Sequence, residues 1–316
     1  MKNTTIILLL VCFNALAIMA QDTETKQVSN SNKSLLGFWI LKDGKPVSEP
    51  YMGGYLIDNQ TNVMPQANSL EMVIQHRFGS LQNGFEDFLG IYGAANTRLG
   101  LNYSITDWVQ VTFGTTKTFK LQDFGVKFNI LKQSRNNNCP VDVTYYHNFS
   151  IDSRDSSNFG YQNQFSDRLT FFNELLVTRK FADWFTVSVG GSFTHFNQVD
   201  SLYNHDVIAI HIIGRAKVSA QSSIILNCDL PLRLENMNEW LDPLNNKNPY
   251  GDMSYNSTYN FGIGYEVATA THVFQVFAGS ATYMVPQYNV MKNDKLFFHS
   301  TKDIFIGFNI TRQWNF

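Results

Sequence analysis

The sequence predicts an all-β fold, an antiparallel transmembrane β-barrel of about twelve strands. Three observations predict it: segments in which apolar and polar residues alternate, connections that alternate between short and long, and a final segment rich in apolar and aromatic residues. Alternation with a period of two gives each strand two different faces. A closed barrel also leaves no unpaired strand edge in lipid.

The clearest alternating segment shows how the two faces divide. Leu99, Leu101 and Tyr103 fall on one face of an extended strand, whereas Arg98 and Asn102 fall on the other. We expect the first face to contact lipid and the second to line the lumen. Twelve segments alternate in this way, at residues 69–78, 96–105, 109–116, 121–132, 141–152, 167–181, 184–196, 205–218, 222–232, 257–268, 271–284 and 301–316.

The connections form a second, independent pattern. Links such as 106–108 and 182–183 are short, whereas most of the intervening links, such as 79–95, 153–166 and 233–256, are long. Outer-membrane barrels have short periplasmic turns and longer external loops. An even number of strands then places both ends of the barrel on the periplasmic side.

Composition agrees with strands that have one lipid face and one polar face. Charged residues make up 16% of the chain and aromatic residues 14%, and the mean hydropathy is -0.18. After residue 20 no apolar run has the roughly 18 residues that a spanning helix needs. The net charge of -2 argues against binding to nucleic acid.

The chain divides into three predicted parts. Residues 1–20 carry Lys2 followed by an apolar run, which predicts a signal peptide for export. Residues 21–68 predict a flexible periplasmic leader, in which 51–68 could be a short strand or an ordered arm. Residues 69–316 predict the barrel, and the bacterial outer membrane is the expected location.

Aromatic residues mark one end of the predicted strands. Trp314 and Phe316 lie on the apolar face of the last strand, and we expect them to serve as an assembly signal. Trp108, Trp184 and Trp314 would all lie at the periplasmic end, where indole prefers the membrane interface. The alternative is that they are buried core residues of a soluble sandwich.

The polar face supplies the candidate lumen residues, which are Arg98, Lys127, Glu174, His211, Arg215, Lys217 and Glu266. They could form salt bridges that fill a narrow barrel, or a charged constriction that selects a solute. His211, Arg215 and Lys217 share one face and could bind an anion, although a lone histidine is more often a hydrogen-bonding partner. The aromatic loop at residues 84–93 could fold into the mouth or pack on the rim.

Catalytic signatures are missing from the sequence. It contains no Gly-x-Ser-x-Gly, no His-Glu-x-x-His, no glycine-rich phosphate loop and no His-x-Ser pair of the barrel phospholipase type. We therefore expect neither an enzyme nor a bound cofactor or metal.

Two stretches carry a family resemblance. They are Gln-His-Arg-Phe-Gly-Ser-Leu-Gln-Asn-Gly at residues 75–84 and Arg-Leu-Gly-Leu-Asn-Tyr at residues 98–103. Together with residues 121–133, 209–217 and 272–275, they resemble a domain-of-unknown-function family of bacterial outer-membrane β-barrels, from about residue 53 to the C-terminus. The resemblance implies the fold and the location, and it implies no substrate.

These observations predict a narrow, substrate-restricted pore or passive transporter. The alternative is a plugged barrel with a structural or partner-binding role. The expected partners are outer-membrane lipid, the barrel-assembly machinery and a small solute, with no nucleic acid.

Overall fold

A computed structural model describes residues 45–48, 50–200, 203–233 and 257–316. The predicted signal peptide at residues 1–20 and the first part of the predicted leader, up to residue 44, lie outside the described residues.

Strands are the main elements of the described chain, which contains almost no helix. A short hairpin, β1 (Tyr55–Leu56) and β2 (Asn59–Gln60), precedes the barrel. The barrel strands are β3 (Ser69–Ser80), β4 (Asn96–Thr106), β5 (Val109–Thr116), β6 (Leu121–Leu131), β7 (Asp142–Asp152), β8 (Leu169–Ala182), β9 (Phe185–Phe196), β10 (Asp206–Lys217), β11 (Ser222–Arg233), β12 (Asn260–Ala268), β13 (His272–Gly279) and β14 (Phe305–Asn315). Among the described residues, the connections contain the α-helix α1 (Pro286–Lys292) and 3-10 turns at Leu81–Asn83, Thr118–Lys120, Ser156–Phe159, Phe165–Arg168 and Thr301–Asp303.

The twelve strands β3 to β14 form one closed antiparallel barrel. Each strand pairs with the next along the chain, and β14 pairs with β3, with Ile310 opposite Ile74. This confirms the predicted all-β barrel, and most strand ends agree with the prediction within a few residues. The largest difference is at β13, which ends at Gly279 rather than at residue 284.

Burial alternates along the strands as the sequence predicts. Leu99, Leu101 and Tyr103 are 50%, 44% and 39% exposed, whereas Arg98 and Asn102 are 2% and 1% exposed. In a closed barrel the buried face is the inner one, because the outer face has nothing to cover it but lipid. The two faces of β4 therefore lie where the alternation assigns them.

Short turns join the strands at one end of the barrel, the end predicted to be periplasmic, and Trp108, Trp184 and Trp314 lie at that end. Trp184 is 61% exposed. Lys132 lies over the ring of Trp108 at 4.5 Å, and Arg312 lies over the ring of Trp314 at 4.9 Å. Beyond β14, the Phe316 amide donates to the carbonyl of Asn68 at 3.3 Å, so the chain pairs across the closure up to this residue.

A charge on the outer face should destabilise the barrel. We expect Leu101→Arg to lower the free energy of unfolding by about 2–4 kcal/mol, since the charge would face hydrocarbon. Leu101→Phe, which keeps that face apolar, should leave it nearly unchanged. Urea unfolding in lipid vesicles measures both. Equal losses from the two variants would show that residue 101 does not face lipid.

Candidate functional site

The interior of the barrel is the candidate site, and two segments of the chain occupy it. We call residues 50–63 the lumenal hairpin and residues 280–293, which include α1, the inner loop. Leu56 and Ile57 of the hairpin are fully buried, and Val285 and Met291 of the inner loop are 1% and 2% exposed. The hairpin contacts the inner faces of strands all around the wall, so it lies inside the barrel.

Within the predicted leader, the sequence leaves residues 51–68 open as a short strand or an ordered arm, and the structure describes a two-stranded hairpin there. The inner wall pairs the polar groups of residues 50–63. The Tyr51 hydroxyl lies 2.7 Å from the Ser188 hydroxyl and donates to the Ile213 carbonyl at 3.3 Å. Gly54 N–H donates to Glu71 Oε1 at 3.3 Å.

The wall fixes the turn of the hairpin at Ile57 and Asp58. Ile57 has a φ of 56°, which is uncommon for a β-branched residue. Its N–H donates to Gln275 Oε1 at 3.1 Å, and its carbonyl accepts from Asn309 Nδ2 at 2.7 Å. Backbone strain of this kind persists only where the surroundings impose it. The turn is therefore held in place by the barrel.

An ion pair joins the tip of the hairpin to β3. Arg77 Nη2 donates to Asp58 Oδ1 at 2.6 Å, and the two side chains are 1% and 3% exposed. Arg77 also donates to Asn309 Oδ1 at 3.0 Å, and its guanidinium lies 4.4 Å from the centre of the Phe277 ring. Since two buried charges need each other, this pair ties the hairpin to the wall.

Asp229 on β11 links the hairpin, the wall and the inner loop. Its carboxylate accepts from Asn59 Nδ2 at 2.7 Å, from Asn260 Nδ2 at 2.7 Å and from Asn289 Nδ2 at 3.5 Å. His211 Nδ1 lies 2.8 Å from the same carboxylate. One buried carboxylate thus contacts both inserted segments.

The predicted lumen residues lie on the inner face of their strands. Arg98, Lys127, Glu174, His211, Arg215 and Glu266 are all 4% exposed or less, and Lys217 is half-buried at the end of β10. Arg98 makes a two-pronged ion pair with Asp123 at 2.6 and 3.0 Å. Lys127 donates to the carbonyls of Gly54 and Val63 at 3.4 Å.

Two members of the cluster predicted as a possible anion site, His211 and Arg215, have acidic partners. Arg215 Nε donates to Glu266 Oε1 at 3.0 Å, and His211 contacts Asp229. Arg215 Nη1 also reaches the Pro50 carbonyl at 3.5 Å. Arg215 and His211 are therefore hydrogen-bonding partners of wall carboxylates, and Arg215 also contacts the backbone of the hairpin.

Ser192, His211 and Asp229 are connected like the residues of a serine hydrolase triad. His211 Nε2 lies 2.7 Å from Ser192 Oγ, and Nδ1 faces Asp229. Acyl transfer also needs donors aimed at an oxyanion and room for a substrate. Ser192 is 5% exposed and lies within the paired stretch of β9. The contact joins β9, β10 and β11 on the inner face of the wall.

Apolar residues on the inner wall match the two inserted segments. Leu56 and Ile57 pack with Ile213, Ile225 and Phe277. The inner loop packs in a second cluster against six residues of the inner wall, which are Leu121, Tyr146, Phe172, Phe196, Val207 and Ala209. Gln287 of α1 adds a hydrogen bond to Asn148 Oδ1 at 2.8 Å. The wall is therefore complementary to both segments.

Little space is left where the hairpin meets the inner loop. A cavity of about 10 Å³ lies there, bounded by Gln60, Glu174, Met284 and Pro286 among others. That is about the room that one water molecule needs. Gln60 Oε1 and Glu174 Oε1 have no hydrogen-bond partner among the described residues, so they could bind such a water. The loop at 84–93 does not fill the mouth, since Phe85 and Tyr92 are 83% and 77% exposed at the rim.

Burial changes the acidity of two hairpin groups. It raises the pKa of the Asp58 carboxyl, and the Arg77 guanidinium opposes that rise. It also raises the pKa of the Tyr51 phenol, which therefore stays a neutral hydrogen-bond donor. The charge on Asp58 consequently depends on Arg77.

A family model described as "Membrane bound beta barrel domain (DUF5777)" matches residues 51–314. The match begins at the start of the lumenal hairpin and ends in β14, so it includes the hairpin as well as the wall. No curated protein sequence matches the chain.

Several solved structures are similar in fold. The COG4313 outer membrane channel from Pseudomonas putida F1 is 11% identical with a TM-score of 0.45, over 80% of this chain and 97% of its own. The NanC porin is 7% identical with a TM-score of 0.47, over 78% of this chain and 100% of its own. LpxR from Salmonella typhimurium is 10% identical with a TM-score of 0.37, over 78% of this chain and 100% of its own. These values describe a general likeness between barrels.

The ion pair at the hairpin tip should behave as a coupled unit. We expect Asp58→Leu to cost about 3–5 kcal/mol of unfolding free energy, since it leaves a buried guanidinium unpaired. Arg77→Met should cost less, because Asp58 can take up a proton. The double variant should regain most of the loss. Urea unfolding of all four proteins measures the coupling, and additive losses would show that the two side chains do not act together.

Proposed function

We propose that this chain, which belongs to the DUF5777 family of membrane-bound β-barrel domains, is a narrow channel that its own lumenal hairpin closes. The chain is a bacterial outer-membrane β-barrel, as the family and the closed wall with its apolar outer face show. The channel would admit a restricted class of solute when the hairpin leaves the lumen.

The observation that carries this proposal is the polar contact between the hairpin and the wall. The tip is held by the Arg77–Asp58 pair, by Asn59 on Asp229 and by amide side chains that bind the backbone of Ile57. Water can replace every one of these contacts. A hairpin that leaves would expose the apolar patch of Ile213, Ile225 and Phe277, and the rest of the surface it contacts is polar.

The width of the barrel supports a passage behind the hairpin. Side chains alone fill a barrel of about eight strands, whereas barrels of 16–18 strands leave an aqueous channel. This barrel has twelve, and it needs two inserted segments to fill its interior. Removing one of them would leave a gap lined by polar groups.

The chemistry of the wall supports transport over mere filling. Replacing buried ion pairs by apolar residues of similar volume often leaves stability unchanged or raises it. A barrel that only had to be filled would thus gain nothing from the Arg98–Asp123 and Arg215–Glu266 pairs. A wall that water and solute must contact requires such groups.

The wall charges favour cations. Among the described residues, seven buried acids lie on the barrel strands, against four buried arginines and lysines. The acids are Glu71, Asp123, Asp142, Asp152, Glu174, Asp229 and Glu266, and the bases are Arg77, Arg98, Lys127 and Arg215. Rings of acidic side chains select cations in channels. We therefore expect small cationic or neutral solutes, and transport rather than catalysis.

Loosening the hairpin should open the channel. In planar bilayers we expect low conductance from the wild type and frequent openings from Asp58→Ala. A loss of about 3–5 kcal/mol corresponds to more than about 100-fold in the ratio of open to closed states. The open current should favour cations, and adding Glu174→Gln should weaken that preference.

Asp183→Ala is the matched control, since it removes the same charge from an exposed periplasmic turn. It should conduct like the wild type. A mobility shift between unboiled and boiled samples on a gel reports the folded fraction of each variant. If Asp58→Ala folds normally and carries no more current than the wild type, the barrel has the structural or partner-binding role instead.

A further inference from the structure

A polar cluster lies on the outer face of β7 and β8. Tyr145 and His147 lie on β7, and Asn173 lies opposite His147 on β8. All three alternate with buried inner-face neighbours, such as Tyr146 on β7 and Phe172 on β8. Their side chains therefore point away from the lumen, toward lipid.

This cluster lies within the apolar band and not at its edge. Along β7 it is bracketed by Val143 and Phe149, and along β8 by Phe171 and Leu175. The outer strand neighbours are also apolar, since Val126 on β6 pairs with His147. Polar groups are costly inside a membrane, and those found there usually have a partner.

Hydrogen bonds within the cluster leave one donor and one acceptor unused. The Tyr145 hydroxyl donates to Asn173 Oδ1 at 2.8 Å, and His147 Nδ1 lies 2.9 Å from the same oxygen. Nδ1 therefore carries the proton, and the neutral Nε2 is an acceptor. The Asn173 amide nitrogen remains a donor. Neither His147 Nε2 nor the Asn173 amide nitrogen has a partner among the described residues.

The opposite orientation of the Asn173 amide leads to the same result. Its nitrogen would then donate to His147 Nδ1, which makes Nε2 the donor and the amide oxygen the free acceptor. In both orientations the cluster offers one donor side and one acceptor side. A surface of this kind is complementary to itself.

We propose that this face of the barrel is the interface of a homodimer in the membrane. A two-fold axis brings the same patch of two copies together, so the donor of each copy meets the acceptor of the other. Lipid chains offer no hydrogen-bonding group at this depth, whereas a second copy satisfies both groups at once. The occupant is therefore a second copy of this chain.

Gly191 on β9 supports close approach beside the cluster. It lies on the outer face opposite Leu175, and a side chain added there would meet nothing within 4 Å. Small residues let backbones approach closely in membrane interfaces. No side chain therefore projects from the outer face at Gly191, beside the polar groups, where a second barrel would pack.

The test compares apolar replacements on two parts of the outer face. Asn173→Leu and His147→Leu suit a lipid-facing position, so folding should be retained and only association should change. His76→Leu is the control, because His76 is a lipid-facing histidine on β3, four strands away. Energy transfer between donor- and acceptor-labelled copies, measured in vesicles over a range of protein-to-lipid ratios, gives the dissociation constant.

We expect the wild type and His76→Leu to dimerise equally. Asn173→Leu and His147→Leu should raise the dissociation constant roughly tenfold, because either change removes both symmetry-related hydrogen bonds of the dimer. A monomeric wild type, or equal association of all four proteins, would overturn the proposal. The lumenal hairpin plays no part in this result, so it stands apart from the channel test.

Discussion

Closure of the wall by β3 and β14 is the constraint on which the rest of the structure depends. No water is available in hydrocarbon, so each backbone N–H and C=O there must be paired within the protein. The β14–β3 ladder removes the last open edge. Closure then forces alternate side chains inward and outward, and it encloses an interior of fixed width. Twelve strands enclose more space than their own side chains fill, which is why the hairpin and the inner loop are needed inside.

The two inserted segments are bound in different ways. The inner loop buries Val285, Tyr288 and Met291 in an apolar cluster, which makes it a lasting part of the barrel. The lumenal hairpin adds to its apolar contacts an ion pair, hydrogen bonds to Asp229 and a turn that the wall holds at a positive φ. This difference explains why we assign closing and opening to the hairpin. Asp229 contacts both segments, so a movement of the hairpin would change a hydrogen bond of the carboxylate that also binds the inner loop.

The wall could be predicted from the sequence, and the filling of the lumen could not. A period of two over some ten residues is a strong signal, and it assigned Leu101 and Arg98 to opposite faces correctly. The hairpin strands are two residues long, too short for any period, and the residues that bind them are distant in sequence. One signal was present: Ile212-Ile213 and Ile224-Ile225 break the alternation on adjacent strands. Ile213 and Ile225 face inward to the hairpin, so an apolar residue at an inner position marks an inserted segment.

A reversible tether between hairpin and wall tests most directly whether the hairpin closes the channel. A Cβ added at Gly53 would lie 4.0 Å from the Val273 Cβ, within the range of a disulfide. Gly53→Cys and Val273→Cys would be introduced into the Asp58→Ala protein, with Cys139 and Cys228 replaced by serine. Single-channel current is then recorded before and after reduction. We expect no openings while the disulfide is intact and frequent openings once it is reduced. Equal current in both states would show that solute does not pass where the hairpin lies.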